Sequence, residues 1–218
     1  DRIAGGRLAL NVVSSWWAEE ARQYGLPFDD HDDRYARTGE WLDVVRGLWS
    51  HDRFSYDGRH YTMREAICAP KPLHRPTIYA GGESEAAKTM IANQCDAYVM
   101  HGDPVEVVAA KIADMQRRRA ATGQPPLRFG MAAYAVVRDS EAEAHRELAR
   151  ITAVSDLPPG YANFDAWMAG TQLEADLQRH EYAVSNRGLR PQLVGTPEQL
   201  RDRIAAYEAA GLDLLLLQ

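Results

Sequence analysis

The stretch Thr77-Ile78-Tyr79-Ala80-Gly81-Gly82-Glu83-Ser84-Glu85-Ala86-Ala87 decides the fold. A short apolar run ends in two glycines, and Ser84 in acidic company opens an alanine-rich helical pattern reaching about Asn93. That is strand, tight turn, helix. At such a junction the unpaired N–H groups of the first helical turn face back over the strand end, where the macrodipole places partial positive charge. Glycines without Cβ atoms let a ligand approach the backbone, and the Ser84 hydroxyl can donate to a phosphate oxygen. The junction therefore reads either as a phosphate site or as an ordinary helix capped by serine. No lysine follows the glycines at Walker spacing, which argues against a nucleotide-triphosphatase loop.

Downstream, residues 97–100 form a short strand followed by His101-Gly102-Asp103-Pro104. Asp103 at the N-cap with proline at the first helical position predicts a helix to Gly123. Residues 127–137 read as the next strand, with Tyr134 late in it, and Asp139 or Ser140 opens a charged helix through Ile151. Thr196-Pro197-Glu198 caps a helix to Ala210, Gly211 stops it, and residues 212–217 are an all-apolar strand. Between residues 155 and 191 the alternation breaks. A strandless insertion of that length is functional as a rule, often a lid.

Upstream, residues 7–14 have the near-continuous apolar pattern of a strand buried on both faces. Asn11 interrupts it, and a buried Asn must spend its hydrogen bonds on a neighbouring backbone or on a ligand edge. Glu20 follows the strand end. His31-Asp32-Asp33-Arg34-Tyr35 leads into an amphipathic helix ending near Ser50, with Asp32 or Asp33 as its cap. Arg34 at the positive end of that helix calls for a partner elsewhere. His31 beside two consecutive aspartates is a poor metal site, since consecutive side chains diverge, and no metal is expected. Phe54 to Tyr61 is a hairpin carrying the Asp57-Gly58 turn signature.

Strands alternate with helices, and the five apolar strands centre near Leu10, Ile78, Val99, Ala133 and Leu215. This predicts an α/β fold of parallel βα repeats, one domain over residues 1–218. Asn11, Glu20, Ser84, His101 and Tyr134 all fall on or beyond the C-terminal halves of strands, where such folds bind ligands. Of the 218 residues 45% are hydrophobic and 26% charged, as in a soluble globular protein. A net charge of -6 argues against nucleic-acid or anionic-membrane partners. Two cysteines are too few for a disulfide framework and fit a reducing cytoplasm.

Residues 6–17, His31-Asp32-Asp33-Arg34-Tyr35, Gly81-Gly82-Glu83-Ser84 and Leu193-Val194-Gly195-Thr196-Pro197-Glu198 together resemble the bacterial-luciferase-like, flavin-dependent two-component monooxygenases. Within them the chain is most similar to the dimethylsulfone branch, with the alkanesulfonate and pyrimidine monooxygenases as neighbours. The resemblance implies a (β/α)8 TIM barrel, of which this chain carries roughly the last five strands. It implies reduced FMN (FMNH2) as cosubstrate, an NAD(P)H-dependent FMN reductase as partner, O2, a small sulfone substrate and a homo-oligomer. Dimethyl sulfone would give methanesulfinate and formaldehyde. By position, Asn11 and Glu20 would contact the flavin, Arg34 and Tyr35 would lie near its phosphate, and Gly82 and Ser84 would grip it. His101 and Tyr134 are the candidates for substrate contact or proton transfer, and Arg187 and Arg190 would belong to the lid. The rival expectations are an alkanesulfonate monooxygenase, an F420-dependent oxidoreductase and a non-catalytic flavin-binding protein.

Overall fold

A computed structural model of the chain describes residues 1–15, 17–153 and 187–218. The chain divides into two compact units, Asp1–Ala97 and Tyr98–Gln218. The first contains β1 (Ala9–Val12), α1 (Ala18–Gln23), α2 (His31–Ser50), β2 (Phe54–Asp57), β3 (Thr62–Ala66), β4 (Thr77–Ala80) and α3 (Glu85–Gln94). β1 and β4 run parallel, with Asn11 aligned on Tyr79. Ile78 and Ala80 are fully buried together with Ala87 and Ile91 of α3, while Thr77 and Tyr79 on the other face stay half-buried.

β1 departs from the sequence expectation. Its apolar run predicts burial on both faces, yet Ala9 and Asn11 are exposed and Leu10 and Val12 only half-buried. Among the described residues β1 has one sheet neighbour, β4. α2 also starts differently: Asp30, not Asp32 or Asp33, holds the cap position, and its side chain makes no capping bond. Asp32 and Asp33 lie in the first turn, where their charge complements the dipole.

β2 and β3 form the expected antiparallel hairpin, but its turn is held from outside. The Glu40 carboxylate on α2 accepts the backbone N–H groups of Arg59, His60 and Tyr61 at 2.8, 2.8 and 3.1 Å. Arg59 adds a two-pronged bond to Asp33 at 2.8 and 3.0 Å. The Phe54 ring fills the notch over Gly47, where a Cβ would come within 2.2 Å of it. At the other end of the unit, Asp96 accepts the Ile78 N–H on its carboxylate at 2.8 Å and donates its own N–H to the Ile78 carbonyl at 2.8 Å.

The second unit opens with β5 (Ala97–Met100) and continues with α4 (Val105–Ala120), β6 (Arg128–Ala133), β7 (Val136–Val137) and α5 (Glu141–Thr152). It ends with β8 (Val194–Gly195), α6 (Pro197–Ala209) and β9 (Leu214–Leu217). β5, β6 and β9 are neighbours in that order, and β7 pairs with β8 in a separate two-stranded parallel sheet. The long strand predicted over residues 127–137 is thus broken at Tyr134 and Ala135, where the chain passes from one sheet to the other. Asp213 repeats the Asp96 device on Phe129, bonding its N–H at 2.8 Å and its carbonyl at 2.9 Å. Ser140 caps α5 as expected, and Thr196 caps α6 in a reciprocal box whose partner is Gln199. α4 corrects the sequence reading: it starts at Val105 with Pro104 in the cap position, so Asp103 is not its cap. Most of the predicted insertion, residues 154–186, lies outside the described residues. Among the described residues no helix is long and apolar enough to cross a membrane.

The hairpin clamp sets a pH dependence. Burial alone would raise the Glu40 pKa, but the N–H groups of His60, Arg59 and Tyr61 outweigh it, and the carboxyl sits below its ordinary 4.5. Its stabilisation is complete above that value and is lost as pH falls through the lower folded value. The stability gap between wild type and Glu40→Gln should be about 1–2 kcal/mol at neutral pH and should close toward pH 3 in thermal melts. A gap that does not change with pH would contradict the clamp.

Candidate functional site

In the first unit the ends of β1 and β4 are joined through the first two turns of α2. Thr38 Oγ1 donates to the Arg34 carbonyl at 2.9 Å. Ser14 Oγ lies 2.7 Å from the same Thr38 oxygen, so Ser14 is the donor there. Arg34 is 7% exposed. Its Nε donates to the Ser15 carbonyl at 2.8 Å, its Nη1 to the Asp29 carbonyl at 2.7 Å, and its guanidinium sits 4.2 Å from the centre of the Phe28 ring. These are the partners that its place at the helix start called for. Desolvation lowers its pKa, and the charges of Tyr35, Asp29 and Asp30 oppose that shift.

One residue on, the Tyr35 hydroxyl reaches the glycine turn after β4. It lies 3.2 Å from where a Gly82 Cβ would stand, and that Cβ would also meet the Ala87 methyl at 2.6 Å. Gly82 has φ of +153°, so the turn tolerates no side chain there on either count. Ser84 caps α3, its buried Oγ accepting the Ala87 N–H at 3.2 Å. The hydroxyl hydrogen is left for another acceptor. Tyr35, the bare Gly82 backbone, the Ser84 hydroxyl and the α3 N-terminus thus converge at one strand end. This is the kind of donor set that phosphate groups take.

In the second unit His101 stands one residue beyond β5, half-buried, and Tyr134 one residue beyond β6. The Tyr134 ring packs against the Val136–Ala144–Val194 cluster, and its N–H donates to the Gly188 carbonyl at 2.8 Å. Between them lies a residue that sequence reasoning assigned to helix capping. Asp103 is 4% exposed and accepts from Lys111 Nζ at 2.6 Å. Arg187 Nη1 stands 3.4 Å and Arg190 Nη1 3.5 Å from the same carboxylate, and Tyr207 donates its hydroxyl to the Asp103 carbonyl at 2.8 Å. Burial first, then the charges of Glu106 and Asp103, push the Tyr207 pKa up to about 12, so the phenol stays a donor at every physiological pH.

The structure thus brings Tyr35, Gly82 and Ser84 together and ties Arg187 and Arg190 to Asp103. Asn11 and Glu20 are exposed, Asn11 on β1 and Glu20 in the first turn of α1. Tyr79, missed in the sequence, shares the register row of Asn11. The alternation of β4 was its only signal. His31 spends its Nδ1 on Asp32 at 2.8 Å, and among the described residues no cluster of side chains could hold a metal ion.

The chain belongs to the luciferase-like monooxygenase family, whose model matches residues 1–214. It is 36% identical to an FMNH(2)-dependent dimethylsulfone monooxygenase of Pseudomonas putida, over 99% of this chain and 62% of the relative. A protein of the same name from Pseudomonas fluorescens (strain Pf0-1) is 35% identical over 99% and 61%. The chain therefore spans about three fifths of the length of these curated relatives. Among solved structures, a riboflavin lyase crystallised with modified FMN and riboflavin superposes with a TM-score of 0.81 at 19% identity, over 99% of this chain and 60% of that one. DmoA from Hyphomicrobium sulfonivorans gives 0.72 at 17% identity, over 96% and 56%. At such identities the likeness is one of fold. The α/β fold is of the luciferase-like barrel type expected from the sequence, and its parallel strands are part of that barrel.

Arg34 acts through geometry as well as charge, because two carbonyls and a ring face are met by one planar guanidinium. Arg34→Lys should cost about 1–3 kcal/mol in urea unfolding. An unchanged midpoint would show that these bonds contribute nothing.

Proposed function

We propose that the chain serves a two-component flavin-dependent monooxygenase that uses FMNH2 and O2 to oxidise a small, uncharged sulfone. Dimethyl sulfone, the substrate in the names of its relatives, would yield methanesulfinate and formaldehyde. A separate NAD(P)H-dependent FMN reductase would supply the reduced flavin. The observation that carries the reading is the junction where the Tyr35 hydroxyl overhangs Gly82 beside the Ser84 cap.

When bound, FMNH2 supplies the electrons with which O2 is activated. The residues bind and orient it. Ser84, Gly82, Tyr35 and the α3 N-terminus would hold the phosphate, Arg34 would keep the β1–α2 junction in place beside it, and Asn11 and Glu20 would meet the flavin itself. His101 and Tyr134 would contact substrate or move a proton. At the end of β6 the side chains are Ala132 and Tyr134. A phenol donates one hydrogen bond to a sulfonyl oxygen and brings no positive charge. Burying an unpaired sulfonate there would cost several kcal/mol. Arg187 and Arg190, at the end of the insertion, face Asp103, which supports a neutral substrate.

Two measurements test this. Asp caps a helix as well as Ser does but repels a phosphate. Ser84→Ala should lose about 1 kcal/mol of stability and weaken FMNH2 binding by about 1–2 kcal/mol. Ser84→Asp should recover the stability but not the binding. Wild-type affinity in Ser84→Asp would remove the phosphate from this junction. With reductase-supplied FMNH2, kcat/KM should be higher for dimethyl sulfone than for methanesulfonate or longer alkanesulfonates. A preference for any sulfonate would refute the neutral-substrate reading, and flavin binding without turnover would mark a flavin carrier.

A further inference from the structure

The backbone that re-enters the fold at Arg187 is seated on the ends of two strands. A Cβ on Gly102, two residues beyond β5, would strike the Arg187 carbonyl at 2.7 Å, Pro191 Cδ at 2.8 Å and the Ala132 carbonyl at 2.9 Å. Two of these three obstacles are backbone and cannot swing aside. Position 102 thus admits only glycine, and it does so because the 187–191 turn lies directly on the peptide there. The turn is bound again on its other side, where the Gly188 carbonyl accepts the Tyr134 N–H at 2.8 Å. It closes on itself through Arg190 N–H to the Arg187 carbonyl at 3.1 Å. Arg187 and Pro191 are both buried, and Leu193 just beyond is fully so.

One carboxylate holds this turn down. Asp103 faces Arg187 with Oδ2 and Arg190 with Oδ1, and is itself held by Lys111 of α4 and, through its carbonyl, by Tyr207 of α6. An aspartate with four polar partners from three separate parts of the chain, 4% exposed, does not serve as a helix cap.

We propose that Asp103 is a positioning residue. It touches no reacting atom. Through Arg187 and Arg190 it seats the 187–191 turn on Gly102, and through the Gly188 carbonyl that turn fixes the peptide of Tyr134. The peptide of Tyr134, one of the two strand-end residues assigned to substrate, is thereby set from Asp103 through the turn. The catalytic half of this inference rests on the proposed monooxygenase reading; the structural half does not.

The experiment uses the full-length protein and compares Asp103→Asn, which keeps the shape and removes the charge, with Asp103→Glu, which keeps the charge. Amide hydrogen exchange reads the structural half. In Asp103→Asn, exchange at the Tyr134 amide and across residues 187–193 should rise about tenfold or more, the range of a lost hydrogen bond to a charged group, while residues 77–95 stay as in wild type. Asp103→Glu should recover part of the protection. Steady-state assays with the reductase, O2 and dimethyl sulfone read the other half. KM for the sulfone should rise about tenfold and the yield of formaldehyde per FMNH2 consumed should fall, with FMNH2 affinity unchanged. Unchanged exchange at Tyr134 would overturn the proposal. So would a rise in exchange throughout the protein, which would make Asp103 a general stabiliser. Altered exchange with unaltered KM and yield would overturn the positioning role. A wild type that oxidises no sulfone would refute the proposed function while the exchange result still decides whether Asp103 seats the turn.

Discussion

The parallel strands depend on a small device used twice. Asp96, immediately before β5, and Asp213, immediately before β9, each give an N–H to the carbonyl of the second residue in a neighbouring strand and take that residue's N–H on a carboxylate oxygen. Parallel pairing offers no tight turn to set its register, and a slip of one residue would turn every side chain to the opposite face. Here the register is stated at the point where each strand begins. Both partners, Ile78 and Phe129, are core residues, so the bond and the buried face agree on one alignment.

Two buried arginines show how the loops above those ends are kept in order. Arg34 and Arg187 are 7% and 5% exposed, and a bare charge at such depth would be expensive. Arg34 is neutralised by dipoles, two carbonyls and a ring face. Arg187 shares a carboxylate. The first ties two loop carbonyls and the Phe28 ring, and the second is a tie that a single substitution at position 103 can cut.

What the sequence disclosed follows the range of the interactions. The βα alternation, the Ser84, Ser140 and Thr196 caps and the hairpin are local, and periodicity and turn chemistry within a few residues reveal them. The partners of Arg34 could be anticipated as existing but not identified, since the Ser15 carbonyl lies 19 residues back and any backbone could have served. Asp103 was misread because Asp-Pro has a strong local meaning, whereas its working partner Arg187 is 84 residues away. The apolar pattern of β1 reports what a segment can bury, and its exposure follows from its place at the edge of the described sheet. That Ser84, His101 and Tyr134 stand just beyond strand ends was legible because βα alternation itself puts them there.

The Glu40 clamp has an evolutionary side. It recognises three peptide N–H groups and nothing of the side chains they belong to. The clamp itself therefore asks of residues 59–61 only that none be proline, which has no N–H to offer, while the Arg59 side chain adds its own bond to Asp33. The tip of the β2–β3 hairpin is thus a place where relatives can carry very different surfaces on an identical backbone, so long as one acidic side chain is kept in the second turn beyond Arg34 on α2.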